Sequence, residues 1–240
     1  YDSKLKGHSI FFVWVNRGKH SLVLDIKSQS DRHSLDCLIA GADVFLHNLS
    51  PAAAARNNLT ARELSDLHPT LIACEISGYG PGGPRDGDKA YDLAIQAEAA
   101  VMSVTGSNEQ ISKAGFPAAD IAAAMYAFSG ILAALFQRSS TGKGACLSIS
   151  MLECLAEWMS APTYSARESG SSPQRAGHRH AYIAPYGVFT LADSSQILIA
   201  IQTEEEWQRF CGGVICDHEL FTHPLYSSNE YRIANVETLE

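Results

Sequence analysis

Asp120 is the residue whose surroundings most invite chemistry. It is the only charged residue between Gly115 and Met125, set between Gly115-Phe116-Pro117-Ala118-Ala119 and Ile121-Ala122-Ala123-Ala124. An acid at a loop-to-helix junction can be a plain N-cap, its oxygen accepting a backbone N–H. It can also be a nucleophile or a base, held beside apolar groups while the helix dipole keeps it ionised. Small residues behind it would let a bulky ligand or another chain approach closely. On the residues alone both readings stay open.

Other patterns carry less. Gly78, Gly80 and Gly83 fit GxGxxG after an apolar run, but Pro81 and Pro84 flank them and Arg85 to Lys89 continues as loop. A dinucleotide site needs its third glycine in the opening turn of a helix, so the fit argues for a glycine loop. Gly142-Lys143-Gly144 lacks the upstream glycine and the Ser/Thr of a phosphate-binding loop. Cys211, Cys216 and His218 lack a fourth ligand and paired short spacings, and we expect no metal site. His178-Arg179-His180 is a small basic cluster that by itself reads as a solvated turn.

The elements that must position these residues alternate. Ser21 to Ile26 reads as a strand, Ser30 to Ala40 as a helix, Asp43 to His47 as a strand and Pro51 to Asn57 as a short helix with Pro in its first turn. Thr60 and Glu63 spell a capping box for a helix ending near His68. Leu71 to Ile76 is a third strand. Helices follow from about Asp92 to Ser103 and from about Ile121 to Arg138, then a turn at Thr141 to Gly144 and a strand from Ala145 to Ile149. Such alternation predicts an α/β fold with a mostly parallel, doubly covered sheet. Ser165 to Gln174 reads as an exposed linker, and Tyr186 to Thr190 and Gln196 to Ile201 as paired strands joined by a turn at Asp193 to Ser195. A helix follows near Thr203. We expect a large domain over residues 1–160 and a linker with part of a smaller α+β domain over 161–240.

Composition excludes some function classes. The 240 residues hold 18 Lys+Arg against 26 Asp+Glu, a net charge of -8, with the positive charges scattered, so no nucleic-acid surface is expected. The longest apolar stretch, Ile121 to Phe136, is interrupted by Ser and Gly and short of the roughly 20 residues a bilayer needs, so no membrane span is expected. Six cysteines in mostly apolar settings read as reduced thiols in a cytosolic protein. An opening at Tyr1 without targeting character, and a helix-like ending at Val236 to Glu240, lead us to expect a chain cut at both ends.

One segment is specific. The run from Lys113 to Gly144, with Asp120, Ile131-Leu132-Ala133-Ala134-Leu135 and Thr141-Gly142-Lys143-Gly144, resembles the active-site segment of the family III CoA-transferases. So do Asn16-Arg17-Gly18-Lys19 with Leu22 to Lys27, Ala42-Asp43-Val44 with Asn48 and Arg56, and Gly78-Tyr79-Gly80. Tyr91-Asp92 with Gln96, and Ile183-Ala184-Pro185-Tyr186-Gly187, continue the match in order and spacing, so the resemblance covers nearly the whole chain.

The resemblance implies a Rossmann-like large domain and a smaller domain in an interlocked homodimer, with the family's first strand and helices and its C-terminal return to the large domain absent here. It implies CoA transfer from an acyl-CoA, with succinyl-CoA the expected donor, to a carboxylic acid, with no cofactor bound permanently and the CoA thioester as substrate. The residue matching Asp120 attacks the thioester to give a mixed anhydride, the thiolate forms an aspartyl-CoA thioester, and the acceptor takes CoA through a second anhydride. Leu24, Ile26 and Lys27 match the family's adenine and phosphate edge, Asn48 and Leu49 its pantetheine and nucleotide contacts, and Arg56 its phosphate-binding Arg. Lys89, Tyr91 and Asp92 match a segment closing over the thioester end, with Tyr91 able to donate to a substrate carboxylate. The family's α-methylacyl-CoA racemases carry a His where Tyr91 stands, and a phenol of ordinary pKa is a poor base at neutral pH, so transfer is expected over racemisation, with a non-catalytic CoA-binding relative as a further alternative. The glycine-rich lid of formyl-type members is missing, which puts oxalate and formate in doubt. Ile183 to Gly187 is closer to members acting on mesaconate, itaconate, malate or glutarate, where Arg179 or His180 would pair with a second carboxylate. The compartment implied is cytoplasmic, or mitochondrial in a eukaryote.

Overall fold

The computed structural model describes residues 4–239, so readings that fall on Tyr1 and Glu240 lie outside the described residues. Two compact units form, one up to Phe45 and one from Leu46 onward. In the first, β1 (Lys4–Leu5) and β2 (His8–Ser9) make a two-stranded antiparallel ribbon, followed by α1 (Ile10–Val15) and α2 (Gln29–Ala40). Ser9 ends the ribbon and starts α1, its Oγ accepting from the Phe12 N–H at 3.1 Å. The strand expected over Ser21 to Ile26 is not there: the segment has no regular structure and Val23 is 91% exposed. Alternating apolar residues make a strand only where a neighbour takes their ladder bonds, and no described strand of this unit does. The Asp25 N–H is taken instead by the Asp31 carboxylate at 2.9 Å.

The second unit takes over within β3 (Val44–His47) and continues with α3 (Pro51–Arg56), α4 (Ala61–Leu67), β4 (Ile72–Ser77), α5 (Asp92–Glu98), α6 (Val101–Val104), α7 (Ala118–Thr141) and β5 (Ala145–Ser150). The strand order is β3–β4–β5, and β4 and β5 run parallel, from Ile72 opposite Ala145 to Ser77 opposite Ser150. The α/β class is as expected. Thr60 and Glu63 form the capping box, the Glu63 N–H and the Thr60 N–H each reaching the other's side chain at 3.2 Å.

Helix α7 packs on β4, β5, α5 and α8 (Met151–Trp158), burying Ala118, Ala119, Ala122, Ala123 and Ala127. At 24 residues it is longer than the run read from sequence, and by length and composition alone it reaches what a bilayer span needs. Its alanine face nevertheless serves as the spine of a core shared with Ile95, Cys154 and Leu155. The helix expected over Asp92 to Ser103 is broken at Ala100, which takes a left-handed conformation at φ 61°.

Helix α9 (Ser160–Ser169) runs into the expected linker and stops where Gly170 supplies φ 71°, leaving only the part beyond it as loop. Then β6 (Tyr186–Thr190) pairs antiparallel with β7 (Gln196–Ala200), followed by α10 (Glu204–Phe210), a π turn at Cys211–Ile215, α11 (Asn229–Ala234) and α12 (Val236–Leu239). Arg232, 2% exposed, joins these pieces by donating to the Ala184 carbonyl at 2.7 Å and to both Glu204 carboxylate oxygens at 2.9 and 3.0 Å.

The return from α7 to β5 leaves no room for a side chain. Gly142 ends the helix at φ 69°, and the Gly144 N–H donates to the Pro69 carbonyl at 2.8 Å. A Cβ on Gly144 would overlap the Leu71 carbonyl. Gly144→Ala is therefore expected to cost about 2 kcal/mol and to lower Tm by about 4–8 °C. Thermal unfolding checks this, and an unchanged Tm would refute the tight-return account.

Candidate active site

The site lies where the strands of the sheet end. Parallel α/β sheets leave a crevice beyond the carboxyl ends of their strands. Here Asn48 and Leu49 after β3, Ser77 and Gly78 at the end of β4, and Met151 after β5 all line one cavity of about 590 Å³, with Asp120 and Ala123 of α7 on another side. That size falls among ligand pockets. The β3 exit is fixed locally: the His47 Nδ1 accepts from the Leu49 N–H at 3.2 Å, and the Ser50 Oγ caps α3 through the Ala53 N–H. Burial lowers the pKa of His47, keeping the imidazole neutral so that its ring nitrogen can accept.

The remaining wall is the glycine loop and its continuation, Gly87 to Asp92. Gly78, Gly80 and Gly83 lead into turns, with no helix until Asp92, so no dinucleotide fingerprint is formed. What Gly78 provides is closeness, since a Cβ there would overlap the Cβ of Ala90. Arg85 staples the loop. Its guanidinium lies 4.0 Å over the Tyr79 ring, its Nε donates to Asp88 at 2.9 Å, and it pairs with Glu98 of α5, which also accepts from the Tyr79 hydroxyl at 2.8 Å.

Asp120 is the third residue of α7, not its N-cap; that place belongs to Pro117, which has no capping side chain. The cap comes from α5, where Asp92 Oδ1 accepts the Ala119 N–H at 2.8 Å and Oδ2 accepts from Gln96 Nε2 at 2.7 Å. Asp92 is thus held as a cap within the cavity wall. Asp120 itself has no hydrogen-bond donor among the described residues, although it opens to the cavity. Its pKa is raised, first by the apolar groups that desolvate it and second by the negative charge of Asp92.

Of the residues singled out from sequence, Asn48, Leu49, Lys89, Tyr91, Asp92 and Asp120 line this one cavity. Tyr91 lines the cavity and is 74% exposed. Arg56 lies exposed in the last turn of α3, away from the lining. Leu24 and Ile26 are half-buried and Lys27 exposed, all within the first unit. Arg179 and His180 are not gathered with Asp120. They line a separate cavity of about 250 Å³, where Arg179 pairs with Glu237 at 2.9 Å and the His180 ring stacks on Tyr186 at 5.0 Å. Among the described residues no cluster of three potential metal ligands occurs. Sequence reading missed the Arg85 staple and the role of Gln96; the signal for the latter is a Gln four residues after Asp92, one helical turn along the same face.

Residues 1–240 match the family described as CoA-transferase family III, and the chain belongs to that family. It is 32% identical to an acetyl-CoA:oxalate CoA-transferase of Acetobacter aceti, covering 100% of this chain and 62% of that protein. It is 33% identical to a succinate–glutarate CoA-transferase of Agrobacterium fabrum, covering 94% and 56%. A CAIB/BAIF family protein from Brucella suis superposes with a TM-score of 0.82 at 29% identity, over 99% of this chain and 63% of that one. The chain thus spans roughly three fifths of the length of these relatives.

The electrostatics give a titration to measure. Asp120 is expected to titrate above the ordinary aspartate value in a 13C-detected NMR titration, and Asp92→Asn to bring it part of the way down, since desolvation remains. Because the folded pKa lies above the unfolded one, ionised Asp120 disfavours folding at neutral pH. Asp120→Asn should raise Tm at pH 7, and the gain should vanish below the ordinary carboxylate range, where the acid is neutral in both states. A lower Tm at pH 7 would contradict the raised pKa.

Proposed function

We propose that the protein transfers CoA from an acyl-CoA to a carboxylic acid, with Asp120 as the nucleophile. The observation that carries this is a carboxylate without a hydrogen-bond donor among the described residues, in the first turn of a long helix, lining a ligand-sized cavity in a chain of CoA-transferase family III. An Asp120 oxygen adds to the thioester carbonyl, the C–S bond breaks, and CoA leaves as thiolate from a mixed anhydride. The thiolate then attacks the aspartyl carbonyl, releasing the donor acid and leaving an aspartyl-CoA thioester. An acceptor carboxylate reverses the sequence and frees Asp120. No water is consumed and nothing is oxidised or reduced; covalent catalysis replaces one difficult exchange by easier steps.

The cavity is the size for an acyl group and the end of a pantetheine arm. Asn48 and Leu49 contact the arm, Lys89 and Tyr91 close over the thioester, and Arg56 meets a phosphate of the nucleotide end; for Leu24, Ile26 and Lys27 of the first unit a nucleotide contact rests on the family resemblance alone. The donor we favour is succinyl-CoA and the acceptor a dicarboxylate; relatives named for glutarate and for mesaconate, the latter from Haloarcula hispanica at 30% identity, support that class. Residues 1–160 then belong to the large CoA-binding domain and the rest to the smaller one. In an interlocked homodimer, Arg179 and His180 of one copy reach the acceptor in the other copy's cavity. The exposed apolar face of α7, with Met125, Phe128, Leu132 and Phe136, suits such a pairing. Six free cysteines fit a reducing compartment, cytoplasmic or mitochondrial.

The test uses full-length protein with succinyl-CoA and a panel of dicarboxylic acids, oxalate included, followed by mass spectrometry. New CoA thioesters and an adduct on Asp120 are expected. Asp120→Ala should abolish both while CoA binds with nearly unchanged Kd, and normal turnover in that variant would sink the mechanism. Washout of α-deuterium from a 2-methylacyl-CoA without exchange would establish a racemase instead. Arg179→Met should raise KM for the acceptor about tenfold, the loss of one charge-assisted hydrogen bond, and leave KM for succinyl-CoA within about twofold.

A further inference from the structure

We propose that Gln96 is a positioning residue for Asp120: its buried carboxamide ties Asp92 and the backbone of residues 114–116 into one unit that fixes where α7 begins. This rests on the reading of Asp120 as nucleophile. Gln96 is fully buried, and its side chain lies between α5 and the loop that feeds α7. Its Oε1 accepts the Ala114 N–H at 2.9 Å, and its Nε2 donates to Asp92 Oδ2 at 2.7 Å and, at a longer 3.4 Å, to the Phe116 carbonyl. A backbone N–H can only donate, and carboxylate and carbonyl oxygens only accept, so the amide has one orientation that satisfies all three.

The consequence reaches the nucleophile in two steps. Gln96 holds one oxygen of Asp92, and the other oxygen takes the N–H of Ala119, the residue immediately before Asp120. Gln96 also holds the loop that enters α7 through Pro117, which cannot cap the helix itself. Without the carboxamide, Asp92 is free to turn, the loop loses its anchor, and the first turn of α7 can unwind or rotate. Nucleophilic attack tolerates little displacement; about 1 Å can cost on the order of 100-fold in rate. A buried glutamine that merely held the fold would change stability and leave turnover of the folded enzyme alone.

Two variants of the full-length protein separate these roles. Gln96→Met keeps length and apolar packing and removes all three hydrogen bonds; Gln96→Glu keeps an acceptor for the Ala114 N–H and, when ionised, has no donor for Asp92. Measured are kcat and KM for exchange between succinyl-CoA and glutarate, CoA Kd by calorimetry, Tm, and the rate of adduct formation on Asp120. In Gln96→Met we expect kcat and adduct formation to fall about 10- to 100-fold with CoA Kd within about twofold of the parent, and Gln96→Glu to fall between the two. A folded Gln96→Met with kcat within twofold of the parent overturns the proposal, as does a loss of kcat matched by an equal loss of CoA affinity. If Gln96→Met does not fold, Gln96→Glu is held to the same two criteria. Asp120→Ala is run alongside: turnover there means the nucleophile reading has failed, whereas an inert Asp120→Ala with a fully active Gln96→Met means that positioning alone has failed.

Discussion

The hydrogen bond from the Ala119 N–H to the Asp92 carboxylate is the contact on which the geometry of the site depends. A helix leaves its first four N–H groups without partners, and α7 begins behind a proline whose side chain can accept nothing. The missing cap is supplied from a helix 27 positions earlier in the chain, so the start of α7 is set by tertiary structure. The same bond occupies Asp92. Asp88, the other acid on the wall, is occupied by Arg85. Asp120 is left as the lining carboxylate whose lone pairs no donor among the described residues holds, which is the state a carboxylate nucleophile requires.

Charge in the cavity follows the same logic. Asp88, Asp92 and Asp120 against Lys89 give the lining a formal excess of acid, although the substrates of a CoA-transferase are anions. The excess is smaller than the count suggests, because the Arg85 guanidinium and the Gln96 and Ala119 N–H groups already compensate two of the three. What remains is the Asp120 charge, partly desolvated by its neighbours although the residue is exposed, and close to Asp92; both effects raise its pKa. Lys89 is the cation of the lining, and in the proposed homodimer Arg179 and His180 of a second copy would add positive charge for a second carboxylate on the acceptor.

The sequence was legible where local chemistry decides the structure. Thr60 and Glu63 wrote a helix start, Thr141 to Gly144 a turn that follows a helix running three residues further than read, and Asp120 stood out as the isolated acid that lines the cavity. It was illegible where a partner decides. Leu22 to Ile26 alternate as a strand should, yet pair with nothing in their unit. Ser165 to Ser169 look like linker but complete a helix whose stop, Gly170, lies further on. The start of α7 was misplaced by three residues because the cap is remote, and for that reason Asp120 could pass for the cap itself. Gln96 stood in plain view as one polar residue on an apolar face, but its three partners lie up to 20 positions away.

A carboxylate nucleophile that makes an anhydride faces two opposed demands. For the proposed nucleophile, partial desolvation of Asp120 would favour attack, while water beside the anhydride would destroy it. In this chain the Asp120 side chain opens to the cavity, so its apolar neighbours meet the first demand and not the second. Lys89 and Tyr91 line the cavity, but Tyr91 is 74% exposed and seals nothing alone. In the proposed function, water would be displaced by what enters, the acyl-CoA filling the cavity and, in the proposed homodimer, a second copy. On the proposed mechanism, chemistry at Asp120 would be tied to occupancy, because the anhydride would form only when a thioester is present, and that same thioester would already have displaced water from the cavity.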